Sequence, residues 1–319
     1  MSPWWRRLKP DTYSLAILGC VGLASLLPAR GGFALGFHHA TTLAIALLFF
    51  LHGARLPREA VIGGLAHWRL HLLVFSSTFL LFPLAGLALS TLLPASLAVG
   101  MLFLCCLPST VQSSIAFTSI ARGNVAAAIC SASASNMLGV FLTPLLAGLL
   151  IRQSGGGGIG LDAVEAIMLQ LLAPFAVGQL LRPWIGAWAG RHRALLSFVD
   201  RGSILMVVYG AFSEAVTGGL WHRLPPSALL ALAALDLVLL ALALLTTHGL
   251  ATRLGFNRAD RIAIVFCGSK KSLASGVPIA NVLFSGPMVG MVVLPVMLFH
   301  QFQLMACAVL ARRWGEQAE

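Results

Sequence analysis

The chain has 319 residues, is 58% hydrophobic and 10% charged, and carries a formal charge of +11. Its apolar stretches are too many and too long for one soluble core, which excludes a soluble globular protein and describes an all-α polytopic membrane protein. The basic residues sit between apolar runs, with no basic, aromatic-interleaved segment, so nucleic acid is excluded as a partner.

In chain order, ten transmembrane helices are predicted over residues 13–28, 39–51, 70–93, 95–120, 125–151, 161–181, 198–219, 227–250, 262–284 and 288–311. The second is short and is expected to extend into its flanks. Arg6, Arg7 and Lys9 before the first run resemble the start of a signal peptide. Leu27-Pro28-Ala29-Arg30 is a poor small-residue cleavage site, so the run is taken as the first transmembrane helix. With the N-terminus inside, 16 basic residues flank the spans on the inner side and only Arg30, Arg152 and Arg223 lie outside. That bias predicts both termini in the cytoplasm, in a bacterial inner membrane. Trp4, Trp5, Trp68, Trp184, Trp188, Trp221 and Trp314 fall near span ends, as interface anchors do.

Six cysteines all lie in apolar segments without a CxxC spacing, and read as packed thiols rather than disulfides or zinc ligands. His38 and His39 are adjacent, and His67 and His71 are four apart. No acid or cysteine joins either pair, so no metal and no cofactor are expected.

Ser154 and the four glycines that follow form a flexible linker at the midpoint, dividing the chain into 1–153, 154–160 and 161–319. Five spans precede it and five follow. An odd number per half sets the second half in the opposite orientation, which predicts two inverted five-helix repeats in which span four mirrors span nine.

Span nine contains Cys267-Gly-Ser-Lys-Lys-Ser-Leu-Ala-Ser-Gly-Val-Pro278. A helix rising from Asp260 reaches Lys270 after about 15 Å, half of a hydrocarbon core of about 30 Å. Lys270 and Lys271 therefore fall near the midplane, where each costs about 2.5–3.5 kcal/mol on insertion scales. Snorkelling fails there, because the side chain cannot cross half a core. Gly268, Gly276 and Pro278 weaken a continuous helix, and non-helical backbone at that depth must line a cavity or be buried in protein. Span four has a polar knot at the matching place: Gln112-Ser-Ser-Ile-Ala aligns with Lys270-Lys-Ser-Leu-Ala, and Asn124 with Asn281. Two broken helices in corresponding positions point to a substrate site where they cross.

The candidate substrate-binding residues are Gln112, Ser113, Ser114, Thr118, Ser269, Lys270, Lys271, Ser272 and Asn281, joined by a stripe early in span five, Ser131, Ser135 and Asn136. Serines four apart share a helix face, which favours Ser131 and Ser135 over Ser133. Ser and Thr can instead bond their own backbone. Of the acids, Glu214 and Asp236 lie deepest, and Glu214 is the candidate charge partner or coupling group for the lysines.

Ser113-Ser-Ile-Ala-Phe-Thr-Ser-Ile-Ala-Arg-Gly-Asn124, Phe141-Leu-Thr-Pro144 and Phe266-Cys-Gly-Ser-Lys-Lys-Ser-Leu-Ala274 resemble the bile acid:sodium symporter family, and most of all its bacterial bile-acid-symporter-like branch. The resemblance spans nearly the whole chain. It implies ten helices in a panel and a core domain, discontinuous helices four and nine crossing at the midplane, and alternating access around that crossing. It also implies where sodium binds in the coupled members: a Ser-Asn pair on one crossing helix, a Glu and a Gln-Asn pair on the other. Here Ser114 matches the serine, but Ile115 replaces the asparagine, Phe266 the glutamate, and Lys270 and Lys271 the Gln-Asn pair.

A fixed ammonium repels sodium by several kcal/mol at an effective dielectric near ~20. It could bind and release a proton itself, or stay charged and attract an anion, aided by half-helix N-termini. The expected function is secondary transport of a small organic anion, with a proton as coupling ion or none. The alternatives are a sodium-coupled, bile-acid-like symporter, a membrane sensor that binds a solute without moving it, and an intramembrane hydrolase using Ser269 or Ser272 with a neutral lysine.

Overall fold

The computed structural model describes residues 12–55, 67–153, 161–220 and 224–317. Arg6, Arg7, Lys9, Arg58, Arg223, Trp4, Trp5, Trp221 and the 154–160 linker lie outside the described residues. Within them the regular elements are helices: α1 (Thr12–Leu26), α2 (Gly31–Arg55), α3 (Trp68–Ser90), α4 (Ala95–Cys106), α5 (Gln112–Ile120), α6 (Val125–Gln153), α7 (Leu161–Arg191), α8 (Arg193–Thr217), α9 (Pro226–Arg253), α10 (Arg258–Gly268), α11 (Leu273–Leu283) and α12 (Met288–Glu316).

Seven stretches among the described residues are long and apolar enough to cross a membrane: α2, α3, α6, α8, α9, α12 and the paired α10–α11 run. Large side chains such as Leu43, Leu80, Leu230, Leu245 and Phe198 stand exposed on the outside, an apolar exterior that lipid would cover. The protein is an integral, polytopic membrane protein.

The second helix extends past the predicted 39–51 at both ends. Its N-terminal turns hold His38, Thr41 and Thr42; both threonine hydroxyls donate to carbonyls one turn back, at 2.8 and 3.1 Å, and so are satisfied within the helix.

The helices gather in two groups. In one, α2 packs along α7 while α8 lies against α1 and α2. Glycines permit an unusually close approach of α2 and α7. A Cβ on Gly53 would stand 2.1 Å from the Phe175 carbonyl oxygen, and one on Gly178 2.0 Å from that of Phe50. In the other group, α3, α6, α9 and α12 surround the short helices α4, α5, α10 and α11. Over 18-residue stretches, the α10–α11 run is 89% buried, against 28% for α2. Among the seven candidate spans of the described residues, the most buried is thus the one that carries the lysines.

Candidate functional site

Two helical runs are interrupted, at residues 107–111 and 269–272, and the interruptions meet. The first follows from Pro108, which bars the preceding Leu107 from helical geometry; Leu107 is extended at ψ 152°. The second is centred on the lysines themselves. Gly276 and Pro278, expected to weaken the helix, lie inside α11 without breaking it. Gly276 serves packing instead: a Cβ there would meet Leu107 at 2.5 Å, so its absence lets the two runs touch.

Every break leaves backbone groups without helical partners, and burial demands that they find others. At this contact each run supplies the other. The Ser272 amide donates to the Pro108 carbonyl at 2.8 Å. Ser109 Oγ donates to the Cys267 carbonyl at 2.5 Å, Ser114 Oγ to that of Phe266 at 2.9 Å, and Ser77 Oγ of α3 to that of Gly268 at 2.8 Å. From α6, Ser135 Oγ accepts the Ser109 amide at 3.1 Å and Asn136 Nδ2 donates to the Ser109 carbonyl at 2.6 Å. Asn136 Oδ1 also accepts from Ser275 Oγ at 2.7 Å. Gln303 of α12 holds the backbone of Lys271 at both ends, accepting from its amide at 2.8 Å and donating to its carbonyl at 2.9 Å.

The two adjacent lysines are both fully buried, and their ends differ. Lys271 Nζ donates three hydrogen bonds, to the carbonyl oxygens of Thr78 at 2.7 Å, Cys105 at 2.8 Å and Leu107 at 2.7 Å, with the Phe82 ring centroid 4.2 Å away. These carbonyls are free for local reasons. Cys105 and Leu107 lie at the C-terminal end of α4, where carbonyls have no partner and the helix dipole favours a cation. Thr78 lies in a π turn of α3, residues Ser77–Leu81, where the Phe82 amide goes to Ser77. The acceptor of the next amide would be Thr78, but residue 83 is proline and has no N–H. The ammonium thus fills a cage of three orphan carbonyls.

Among the described residues Lys270 Nζ has no hydrogen-bond partner; it rests 4.1 Å from the Phe117 centroid and 5.4 Å from that of Phe266. Rings can stabilise a desolvated cation by about 2 kcal/mol, which offsets only part of the cost of burying it. Asp236 is also fully buried, with neither carboxyl oxygen bonded to a described group.

Other candidates are satisfied locally. Thr118 and Ser269 donate to carbonyls of their own helices, at 2.8 and 2.6 Å, Ser113 to Thr110 at 2.8 Å, and Ser131 pairs with His71 at 2.6 Å. Ser272 caps α11 by accepting the Ser275 amide. Asn124 bonds Asp260 at the start of α10, at 2.7 Å. Glu214 is not brought to the lysines. It stands near the far end of α8, 3.9 Å from His38, and with Asn281 and Ser213 borders a small recess. Among the described residues, neither Lys271 Nζ nor Lys270 Nζ is hydrogen-bonded to Ser269 or Ser272.

A cavity of about 750 Å³ opens between the two helix groups, lined by Gln112 at the start of α5 and by Arg55, Arg182 and Asp200. Arg55 meets Asp200 through two hydrogen bonds, at 2.6 and 3.3 Å. From sequence these arginines count only as inner-side charges. What could have flagged Arg182 is its setting four residues before Gly186, with Gly190 one turn on, since small residues leave room beside a long side chain.

A model of the SBF-like CPA transporter family matches residues 11–316. An uncharacterized protein of Pseudomonas aeruginosa is 59% identical over 317 residues, which cover 98% of this chain and 95% of that protein. Escherichia coli "Putative symporter YfeH" is 55% identical, over 97% of this chain and 94% of its own. Mouse sodium/bile acid cotransporter 7 is 28% identical, over 95% and 92%. With the apolar helices, these matches identify a membrane transporter, and the chain belongs to the SBF-like CPA transporter family.

Proposed function

We propose that the protein is a secondary active carrier of a small organic anion that works by alternating access, without sodium. In this reading ten spans form two inverted repeats on either side of the 154–160 linker, α4–α5 and α10–α11 being the matched broken helices that cross at the midplane. The group of α1, α2, α7 and α8 acts as a panel against which the other helices move. Both termini lie in the cytoplasm of a bacterial inner membrane, so the cavity beside Gln112 opens inward.

The observation that carries the reading is the Lys271 ammonium on the Thr78, Cys105 and Leu107 carbonyls. Carbonyl oxygens at a helix C-terminus are ligands for a hard cation. Here a tethered cation already holds them, and Lys270 adds a second charge beside it. A sodium ion 4 Å from one ammonium would be repelled by about 4 kcal/mol at an effective dielectric of ~20. The coupling ion is then a proton or nothing.

The test is uptake of labelled organic anions by the purified protein in liposomes, with sodium or choline outside and with or without a pH gradient. Uptake should be equal in the two salts. Strict dependence on sodium would restore a sodium symporter; saturable binding with no flux would make the protein a sensor.

A further inference from the structure

One buried ionisable group, Asp236, has no part in the contact between the two broken runs. It lies on α9, which begins at Pro226, and helix rise places it about 15 Å into a hydrocarbon core of about 30 Å. It shares the buried face of that helix with Leu232, Leu239, Leu240 and Ala243, is itself fully buried, and neither carboxyl oxygen meets a hydrogen-bond partner among the described residues. A carboxylate stripped of water with nothing in return is far costlier than the neutral acid, which forfeits only hydrogen bonds. The side chain is therefore held as a protonated acid.

The charged groups of neighbouring helices do not alter this. α9 packs against α3, α10 and α12, whose charged ends gather where α9 ends: Arg69 donates to the Leu254 carbonyl and Arg258 to that of Trp314, beside Arg312, Arg313 and Glu316. Leu254 is about 27 Å from Asp236 along the helix, and Asp260, Arg261, His71 and the His248 and Arg253 of α9 itself lie toward that same end. The titratable groups left in the interior are engaged or neutral. Lys271 has its N–H donors on three carbonyls, Lys270 rests against rings, His300 is bonded to Gln303, and Cys105, Cys106, Cys267 and Cys307 are thiols. Cys105 links the acid to the lysine cage: its carbonyl accepts from Lys271 Nζ, and its thiol lies within electrostatic reach of Asp236.

A structural role explains little here. Asp236 ties no two described elements together, and an apolar side chain would fill the same face at lower cost. From this we infer that Asp236 is the proton-binding site of the carrier. Its carboxylate takes a proton from water when it is open to one side, is buried as the neutral acid, and returns the proton to water on the other side, so that a proton moves with the anion. This deepens the carrier reading by choosing the proton over no coupling ion; it rests on that reading for the movement, but not for the bound proton.

The test begins with the infrared spectrum of the full-length protein in detergent at neutral pH. The wild type should show the carbonyl stretch of a protonated carboxyl that is missing from Asp236→Asn, a variant with the shape of the neutral acid. In heavy water that band should shift, because a proton that is carried must reach solvent. In liposomes, with labelled benzenesulfonate and phenyl phosphate as probes, an acidic exterior should raise uptake several-fold in the wild type and not at all in Asp236→Asn, and Asp236→Glu should regain part of the effect.

Identical spectra for wild type and Asp236→Asn overturn the assignment, because the acid would then be ionised. A band that heavy water never shifts does so too, because its proton would never leave. So does uptake that ignores the gradient in the wild type or responds to it as strongly in Asp236→Asn. An exchanging Asp236 proton with no flux of either probe would leave the proton site standing and count against the carrier. Flux with identical spectra would do the reverse.

Discussion

Where the two interrupted runs meet, two lysines are sealed among backbone carbonyls and aromatic rings; in the cavity beside Gln112, two arginines border open space. Both places concentrate positive charge, but it is met differently. The Lys271 ammonium is spent on the chain's own backbone carbonyls, whereas Arg55 is held by the Asp200 carboxylate beside a cavity. If the carrier proposal holds, the first place bears on which cation the protein can use and the second on which anion it can hold.

The sharpest way to break that contrast is Lys271→Ala. It leaves three buried carbonyls without a donor, at about 1–3 kcal/mol each, part of which a water entering the space would recover. A loss of about 3–6 kcal/mol should lower the unfolding midpoint by roughly 10 °C or more. Because the emptied cage presents carbonyl oxygens, sodium chloride should restore part of the loss and choline chloride should not, while the wild type should respond equally to both. A variant as stable as wild type would show that the ammonium is not what holds the cage.

Ser109→Ala tests the same contact with a smaller effect. Its hydroxyl donates to the Cys267 carbonyl, and its loss strands one buried acceptor while the two runs keep the Ser272 to Pro108 bond. About 1–2 kcal/mol, measured as a shift of a few degrees in thermal unfolding, is expected.

What sequence could show of this follows from distance along the chain. Pro108 and the paired lysines interrupt apolar runs, so both breaks were legible from local chemistry, as was the burial of Ser131 and Ser135 on one face. The break in α10–α11 falls on the lysines, while Gly276 and Pro278 sit inside α11. Close contact with Leu107, which local propensity cannot reveal, accounts for the glycine. The Thr78 cage wall was written in the sequence as a proline five residues on, but it means something only once Lys271 is known to reach it. Gln303 and the Arg55–Asp200 pair join elements 32 and 145 residues apart, and no periodicity carries such pairings. Glu214 was chosen for depth along its helix, whereas which face it presents, toward His38, depends on how α2 and α8 pack.

The last effect should be almost absent from stability and present in function. Lys270 has the burial of Lys271 without its hydrogen bonds, so replacing it with methionine, which is apolar and of similar length, removes a desolvated charge and leaves no donor or acceptor stranded. The unfolding midpoint of Lys270→Met should match the wild type or exceed it by a few degrees. If the charge is kept because the cycle uses it, uptake of labelled organic anions into liposomes should fall at least tenfold. Retained uptake in a stabilised Lys270→Met protein would leave Lys271 as the cation that replaces sodium and strip Lys270 of any part in transport. The two lysines, one turn of chain apart in neither direction but side by side, would then differ in purpose as they differ in contacts: Lys271 on three carbonyls, Lys270 on two rings.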